Sequence, residues 1–283
     1  MNQLARGQAQ NGFTLVELLM AMAIFMLICG AMFGLLQLSQ QKYNSESQMS
    51  GTFQEARLAM DQIVRDADES GYPPLSFFSS VPGDPSLYAL THVAWAGYSA
   101  TSSCQIGTAG GGTCVVPGPT GTSPGDYDLI VETAIGGSTG NAVFWIRYQL
   151  IGTTLYRGAI QKAAGADPVA ATSAAGVMTP FLNNVMNNPS GAQLSAITGD
   201  FPNMFPGGAP VPVFQYMCDT PTGPVSCPNA SAYSSPQYIR DVDVTLIVAA
   251  PQLDAQTRRW KLVELNGRGH RMNPSSLEIG VGN

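Results

Sequence analysis

The chain has 283 residues, enough for one large domain or two modest ones, and its apolar fraction of 45% excludes a small scaffold held together only by disulfides. Only 11% of the residues are charged, well below the roughly 25% of an average soluble domain. Thirteen basic and nineteen acidic side chains give a net charge of −6, so the chain repels phosphate backbones and we expect no nucleic-acid partner.

The first element in chain order is an apolar run over residues 13–38, in which the polar side chains are only Thr14, Glu17 and Gln37. A helix of this length reaches about 39 Å, enough to cross a hydrocarbon layer of about 30 Å. The run is too long for the apolar region of a secretory signal peptide, and no small-residue cleavage pattern follows it. The sequence therefore predicts a membrane-spanning helix.

The residues before this run set its orientation. Residues 1–12 are polar, and Arg6 is their only charged side chain. A positive flank of this kind stays in the cytoplasm. We therefore expect a single-pass chain in which everything after residue 38 is exported.

Glu17 is the exception within the apolar run. A carboxylate costs about 2.5 kcal/mol or more at the centre of a bilayer unless it is paired. A position near the interface, where the carboxylate stays hydrated, removes that need for a partner. The flanking residues favour a sharper interpretation.

The string GFTLVELL from Gly12 to Leu19 closely resembles the processing site of type IV prepilins and type II secretion pseudopilins. The shared features are a polar leader, a glycine before the cut, a phenylalanine after it, a glutamate at the fifth mature position and an uninterrupted apolar helix. The resemblance implies that an inner-membrane prepilin peptidase cleaves after Gly12 and N-methylates Phe13. It further implies three other partners: membrane lipid before assembly, other pilin or minor pilin subunits, and an inner-membrane assembly platform.

Processing of this kind gives Glu17 a physical role. Cleavage creates a positive amine on Phe13, and a filament of packed apolar helices buries both charges at a cost. If Glu17 of one subunit meets the Phe13 amine of its neighbour, the two costs offset each other only in one axial register. We predict that loss of the Glu17 charge leaves membrane insertion and cleavage intact but impairs incorporation into a filament.

Two glycines lie deeper in the same run. Gly30 and Gly34 have the GxxxG spacing that lets helices approach closely, and they also weaken a helix locally. Because pilin helices often unwind at about this depth on assembly, the resemblance favours helix flexibility over a dimer face. Cys29, beside Gly30, is interpreted as a small apolar residue without a redox function.

The helix is predicted to continue past the membrane to about residue 69, with residues 39–70 as its amphipathic outer half. No proline occurs before Pro73, and Gly71, Pro73 and Pro74 supply the chemistry that ends a helix. Apolar residues recur at spacings of three and four as one stripe: Phe53, Ala56, Met60, Ile63, Val64 and Ala67. We expect this stripe to cover a sheet in the chain's own head.

Residues 71–283 are predicted to form an exported, β-rich head with long loops. The best strand candidates are rich in Val, Ile, Tyr, Phe and Trp, namely residues 128–133, 143–150, 154–158, 211–218 and 240–249. The second and third candidates, separated by Gly152 and Thr153, indicate a hairpin. The residues Asp241, Asp243 and Thr245 alternate with apolar neighbours, as on a strand with one solvent-exposed face. The predicted fold is α+β and pilin-like, with one long helix packed on an antiparallel sheet.

Two predicted connections are unusually long. Residues 79–125 and 163–210 both exceed common loop lengths. They either carry the functional surface or are spacers in a chain that tolerates insertions.

Four cysteines in the head predict disulfides, because an exported chain meets an oxidising compartment. Cys104 with Cys114, and Cys218 with Cys227, each enclose a short loop. Four cysteines allow three pairings, and the local one closes two short loops worth about 2–3 kcal/mol each. Four thiolates holding zinc are the alternative, although the usual CxxC spacing is absent.

The motifs that mark enzymes are missing from the sequence. There is no GxSxG, HExxH, Walker-A or dinucleotide-binding pattern, and we expect no enzymatic activity, cofactor or metal. His92 and His270 are expected to be surface or structural residues. Asp126 and Asp128 are a possible calcium pair, as in some pseudopilin loops, but carboxylates two residues apart are common on strand edges.

The outer helix refines the resemblance. Residues 56–66 (ARLAMDQIVRD), followed by Gly71 and Tyr72, resemble the corresponding helix of PilW-like minor pilins. The resemblance implies a minor pilin that enters or primes a type IV pilus, first in the inner membrane and then in the periplasm and at the cell surface. It associates the chain with twitching motility and cell adhesion. A type II secretion pseudopilin is the alternative, and an adhesin or enzyme tethered by an uncleaved helix is a third.

Overall fold

The structure is a computed structural model that describes residues 12–80, 82–94, 125–135, 142–227, 236–254 and 257–272. These residues form three α-helices and nine β-strands. The chain divides into two compact units, residues 1–47 and residues 48–283.

One helix, α1 (Leu15–Asp68), belongs to both units and has 54 residues. It is continuous through Gly30 and Gly34, and its bounds agree with the predicted helix to within two residues. Beyond the helix, Gly71 adopts a positive φ of 79°, and its N–H donates to the carbonyl of Glu132 at 2.7 Å. A left-handed residue of this kind ends a helix, and glycine adopts it without strain.

The strands form two antiparallel sheets in the second unit. The strands of the first sheet, in spatial order, are β1 (Val93–Ala94), β2 (Asp128–Ala134), β3 (Val143–Ile151), β4 (Thr154–Gln161) and β5 (Thr179–Leu182). The second sheet has the order β7-β6-β8-β9, with β6 (Phe214–Thr220), β7 (Gly223–Ser226), β8 (Ile239–Ala249) and β9 (Leu262–His270). All five predicted strands are present, and β3 and β4 form the predicted hairpin. The α+β fold predicted from the sequence is confirmed.

The region 163–210, predicted as one long loop, contains regular structure. It holds α2 (Pro168–Thr172), β5 and α3 (Gly191–Asp200). Local capping explains the helices, because Asp167 accepts from the N–H of Ala170 at 2.9 Å and Ser190 forms a capping box with Gln193. The other predicted loop, 79–125, lies mostly outside the described residues.

The outer half of α1 covers the core of the second unit, as predicted. Its buried residues recur every three or four positions: Thr52, Ala56, Ala59, Met60, Ile63, Asp66 and Ala67. Four of them, Ala56, Ala59, Met60 and Ile63, pack with residues of both sheets in one cluster that includes Leu129, Tyr148 and Val244. Phe53 was wrongly placed in this stripe, since 38% of it is exposed. Thr52, the residue before it, lies on the buried face of the helix instead. The side chain of Phe53 is therefore at the edge of that face.

A pair of glycines in β9 sets how closely α1 approaches the second sheet. A Cβ atom at Gly267 would lie 2.6 Å from the Sδ of Met60. A Cβ atom at Gly269 would collide with the Cβ of Ala67. Only residues without a side chain leave room for the helix at these two places.

A buried polar cluster ties the same part of α1 to the first sheet. The hydroxyl of Tyr148 donates to Oδ2 of Asp66 at 2.5 Å, and Nη2 of Arg157 donates to the same oxygen at 2.9 Å. Gln62, one helical turn before Asp66, donates to its other oxygen at 2.7 Å. Burial raises the pKa of Tyr148, which keeps its hydroxyl proton in place as a donor. The cluster fixes α1 to both β3 and β4.

Candidate functional site

The predicted processing site lies on exposed, non-helical backbone immediately before α1. Residues 12–14 have no regular secondary structure, and α1 begins at Leu15. Gly12 is exposed, and 90% of Phe13 is accessible to solvent. The peptide bond between these two residues is therefore open to a protease.

Thr14 and Glu17 form a reciprocal cap on the first turn of α1. The backbone N–H and the hydroxyl of Thr14 both donate to Oε2 of Glu17 at 3.0 Å. In return, the N–H of Glu17 donates to the Thr14 hydroxyl at 3.3 Å. This arrangement is a capping box, which satisfies donors that the start of a helix leaves unpaired. Its signal in the sequence is a threonine followed three residues later by a glutamate directly before an apolar run.

The cap uses only part of the Glu17 carboxylate. Within the described residues, Oε1 of Glu17 accepts no hydrogen bond, whereas Oε2 accepts two. Glu17 is exposed, so Oε1 is open to a cation from outside the chain. The same side chain can start its own helix and bind a positive group of another molecule.

Among the described residues of its own unit, nothing covers the apolar half of α1. The helix is long and apolar enough to cross a membrane, and none of its most apolar window is buried. Large side chains around the whole circumference are exposed, among them Leu18, Phe25, Leu27, Phe33 and Leu36. A helix that is apolar on every side needs an apolar environment, either lipid or other helices.

The two glycines of this half-helix lie on an open surface. A Cβ atom at Gly30 or Gly34 would meet nothing within 4 Å. The helix is regular at both positions, so their role in flexibility stays a prediction. Cys29 is a free thiol of intermediate exposure.

The cysteines of the head fall into two groups. Cys218 in β6 and Cys227, just after β7, are joined by a disulfide. The hairpin of β6 and β7 is thereby closed at its base. Cys104 and Cys114 lie outside the described residues, and their pairing stays a prediction.

Asp128, one of the two carboxylates considered for calcium, is bound by an arginine. Nε and Nη2 of Arg147 donate to the two oxygens of Asp128 at 2.9 Å and 2.6 Å. Burial raises the pKa of Asp128, and Arg147 opposes that shift. With both oxygens engaged by a buried guanidinium, Asp128 is not available to a cation. The described part of the chain has no cluster of three or more His, Cys, Asp or Glu side chains that could hold a metal.

The two histidines occupy different environments. His92 is buried, and its Nδ1 contacts the hydroxyl of Ser70 just after α1. His270, at the end of β9, is half exposed and its Nδ1 contacts Oδ1 of Asp241 at 2.5 Å. Both side chains have structural contacts, as the sequence suggested, although His92 is not at the surface.

The structure brings some of the predicted site residues together and leaves others apart. Gly12, Phe13 and Glu17 lie within one six-residue segment of the first unit, directly before or in the first turn of α1. Cys218, Cys227 and Asp128 belong to the second unit. The site that the structure assembles is therefore the start of α1.

Comparison with known protein families places a motif on this same segment. The prokaryotic N-terminal methylation motif matches residues 7–33. No curated protein and no solved structure matches the chain. The motif coincides with the exposed bond at Gly12, the capped glutamate and the apolar helix. The chain therefore carries a prepilin-type methylation motif and a single N-terminal helix suited to membrane anchoring, which supports a type IV pilin-like or pseudopilin-like protein.

Proposed function

We propose that the chain is a minor pilin, a structural subunit that enters or primes a type IV pilus after processing. A prepilin peptidase cleaves after Gly12 and methylates the new amine of Phe13. The observation that carries this proposal is the coincidence of the methylation motif over residues 7–33 with an exposed bond directly before an uncovered apolar helix.

The chemistry of assembly follows from the two charges at the start of the mature chain. Processing places a positive amine at Phe13, four residues before Glu17. Two such charges entering an apolar helix bundle are stabilised only if they meet. Oε2 of Glu17 is engaged by Thr14, and Oε1 accepts the amine of a neighbouring subunit. This contact sets the axial register of the filament.

The head supports a minor rather than a major subunit. Its two sheets, disulfide and additional helices form a larger domain than a major pilin typically needs, and the outer helix over residues 56–66 resembles that of PilW-like minor pilins. The role is structural, with the chain held in the inner membrane before assembly and in the pilus afterwards.

A type II secretion pseudopilin is the second candidate, because the same methylation motif and apolar helix serve both filaments. Deletion of the gene separates the two. Loss of twitching motility with intact secretion supports the pilus, and loss of secretion with intact motility supports the pseudopilus.

Mass spectrometry of the mature N-terminus tests the processing step. In cells with an active prepilin peptidase, we expect the chain to begin at N-methylated Phe13. The matched variant Gly12→Leu is expected to retain residues 1–12. A Cβ atom at Gly12 meets nothing within 4 Å, so this substitution alters recognition by the peptidase and not the fold. An intact leader on the parent chain contradicts the proposal and favours a tethered protein.

A further inference from the structure

A row of four charged residues runs along the exposed side of the outer half of α1. The charges alternate in sign, with one every four residues: Arg57, Asp61, Arg65 and Glu69. All four residues are exposed, and residues four apart are neighbours on one face of a helix. Glu69 follows the last residue of α1, but its N–H still donates to the carbonyl of Arg65 at 2.9 Å, which continues the helical path. We call these four residues the charge row.

The charge row has no partner within the described part of the chain. No ion pair or side-chain hydrogen bond there engages any of its four side chains. Other carboxylates of the outer half are already engaged by the head. Asp66 accepts from Tyr148 and Arg157, and Asp68 accepts from the N–H of His270. The charge row is therefore open to the charges of another molecule.

The sign pattern makes the charge row complementary to itself at a defined offset. If two parallel copies lie side by side without an offset, or with an offset of eight residues, like charges face each other. With an offset of four residues, about 6 Å along the axis, Arg57 of one copy faces Asp61 of the other. Asp61 then faces Arg65, and Arg65 faces Glu69. Contact between rows of residues four apart is also the commonest mode of helix packing, with a crossing angle of about 50°.

The membrane anchor favours a second copy of this chain as the partner. Exposed ion pairs each contribute little, so the charge row needs a partner that is already held nearby. Two chains with the same N-terminal helix leave one membrane in the same direction, which favours a parallel pair. Confinement to that membrane also raises their effective concentration. Because each copy supplies both signs, the contact needs no other protein.

We propose that the charge row docks against the charge row of a second copy in the same membrane, in parallel and with an offset of four residues. The contact leaves Arg57 of one copy and Glu69 of the other unpaired, so the two copies are not equivalent. A symmetric parallel pair is disfavoured, because like charges meet in it. The proposal rests on the membrane anchor and not on the proposed pilus.

Photo-cross-linking of the full chain in liposomes tests the position of this contact. The photoreactive residue p-benzoylphenylalanine replaces Leu58, which is 70% exposed and lies beside the charge row. A mixture of unlabelled and isotopically labelled chains identifies adducts between copies by mass spectrometry. We expect these adducts at residues 61–64, because the offset places position 58 level with residue 62. Adducts at residues 56–59, or none between copies, overturn the proposal.

An exchange of two charges tests whether the charge row sets the offset. Asp61→Arg with Arg65→Asp keeps the net charge but places like charges opposite each other in two of the three pairs. We expect the yield of adducts at residues 61–64 to fall about fivefold or more. Circular dichroism of each variant establishes that the chain is folded. An unchanged yield overturns the proposal.

A full inversion of the charge row is the matched control. It restores the alternation, so the yield at residues 61–64 is expected to stay within about twofold of the parent chain; the substitutions are Arg57→Glu, Asp61→Arg, Arg65→Glu and Glu69→Arg. Loss of the adducts in this variant contradicts the charge pairing. In an antiparallel pair centred on residue 63, the exchange variant keeps every opposite pair. Adducts at residues 66–70 that survive the exchange therefore assign an antiparallel contact and overturn the proposal.

Discussion

His92 shows how a single side chain makes the head sensitive to acid. The residue is 1% exposed, its Nδ1 contacts Ser70, and its Nε2 has no hydrogen-bond partner within the described residues. Burial lowers the pKa of His92 from 6.5 to about 3, and the positive charges of Arg271 and His270 add to the effect. The folded head therefore holds a neutral imidazole at a pH where an unfolded chain binds a proton.

Stability is expected to fall on acidification because of this difference in proton binding. The contribution of His92 is complete above about pH 6.5 and declines by about 1.4 kcal/mol per pH unit as the pH falls toward 3. Urea unfolding of the parent chain and of His92→Asn, measured between about pH 7.5 and about pH 4.5, checks this. Asparagine retains a polar partner for Ser70 but does not titrate, so the free energy of unfolding of the variant should fall less steeply. Parallel curves contradict the prediction.

At this scale the sequence predicts what is local. Gly12, Phe13 and Glu17 belong to one six-residue pattern. The cap between Thr14 and Glu17 is also predictable from residues 14–17 alone. The burial of His92 is not predictable from its neighbours in the sequence, because its contact Ser70 is 22 residues away in the chain. The partner of Asp128 was missed for the same reason, since Arg147 reaches it from the neighbouring strand.

At the scale of elements, β9 is a strand whose formation depends on the elements packed against it, β8 and α1. Gly267 and Gly269 are both required by the approach of Met60, Val64 and Ala67 in α1. The glycines and the charged residues of this strand lower its intrinsic β propensity, which explains why it was not predicted. Its formation is decided by pairing with β8 and by the fit of the helix, neither of which is visible in the segment itself.

Adding a methyl group at these glycines is expected to separate helix from strand. Gly269→Ala should lower the free energy of unfolding by about 1–3 kcal/mol, because the new Cβ collides with the short, fixed side chain of Ala67. Gly267→Ala should cost less, since the flexible end of Met60 can move. Urea unfolding followed by circular dichroism measures both.

A control variant and a compensating substitution test the effect of the two glycine variants. Gly199→Ala, in α3 with open space around it, is expected to be neutral or stabilising. Ala67→Gly combined with Gly269→Ala should regain part of the loss. Equal stability of all the variants contradicts the close approach of α1 and β9.

The whole molecule combines an uncovered apolar half-helix with a charge-poor folded head. The broad pattern, one long helix and an antiparallel α+β head, was predictable because it follows from hydrophobic periodicity over long segments. The division of the strands into two sheets was not predictable, since it depends on which strands pair with each other in the folded chain. The elements within residues 163–210 were hidden by a composition rich in Ala, Gly and Pro.

Assembly of the whole chain is expected to require the charge of Glu17 and not its cap. Glu17→Gln keeps a capping box but removes the charge, Glu17→Ala removes both, and Thr14→Ala removes the hydroxyl of the cap and keeps the charge. We expect cleavage of all three variants and loss of filament incorporation only in the two Glu17 variants, measured by immunoblots of sheared filaments. Normal incorporation of Glu17→Gln contradicts the proposed pairing and leaves capping as the role of this residue.

The polar cluster of Asp66, Tyr148 and Arg157 has a mechanical consequence. Within the second unit, a load on the outer half of α1 is transferred to β3 and β4 through Asp66, in addition to the apolar contacts of Ala56 and Ile63 with the core. These strands lie inside a five-stranded sheet with neighbours on both sides, so the load is shared by hydrogen bonds along their length. Resistance to pulling is governed by the rate of unfolding and not by equilibrium stability. Within the second unit, the polar cluster therefore joins the helix to two strands that both have hydrogen-bonded neighbours on each side.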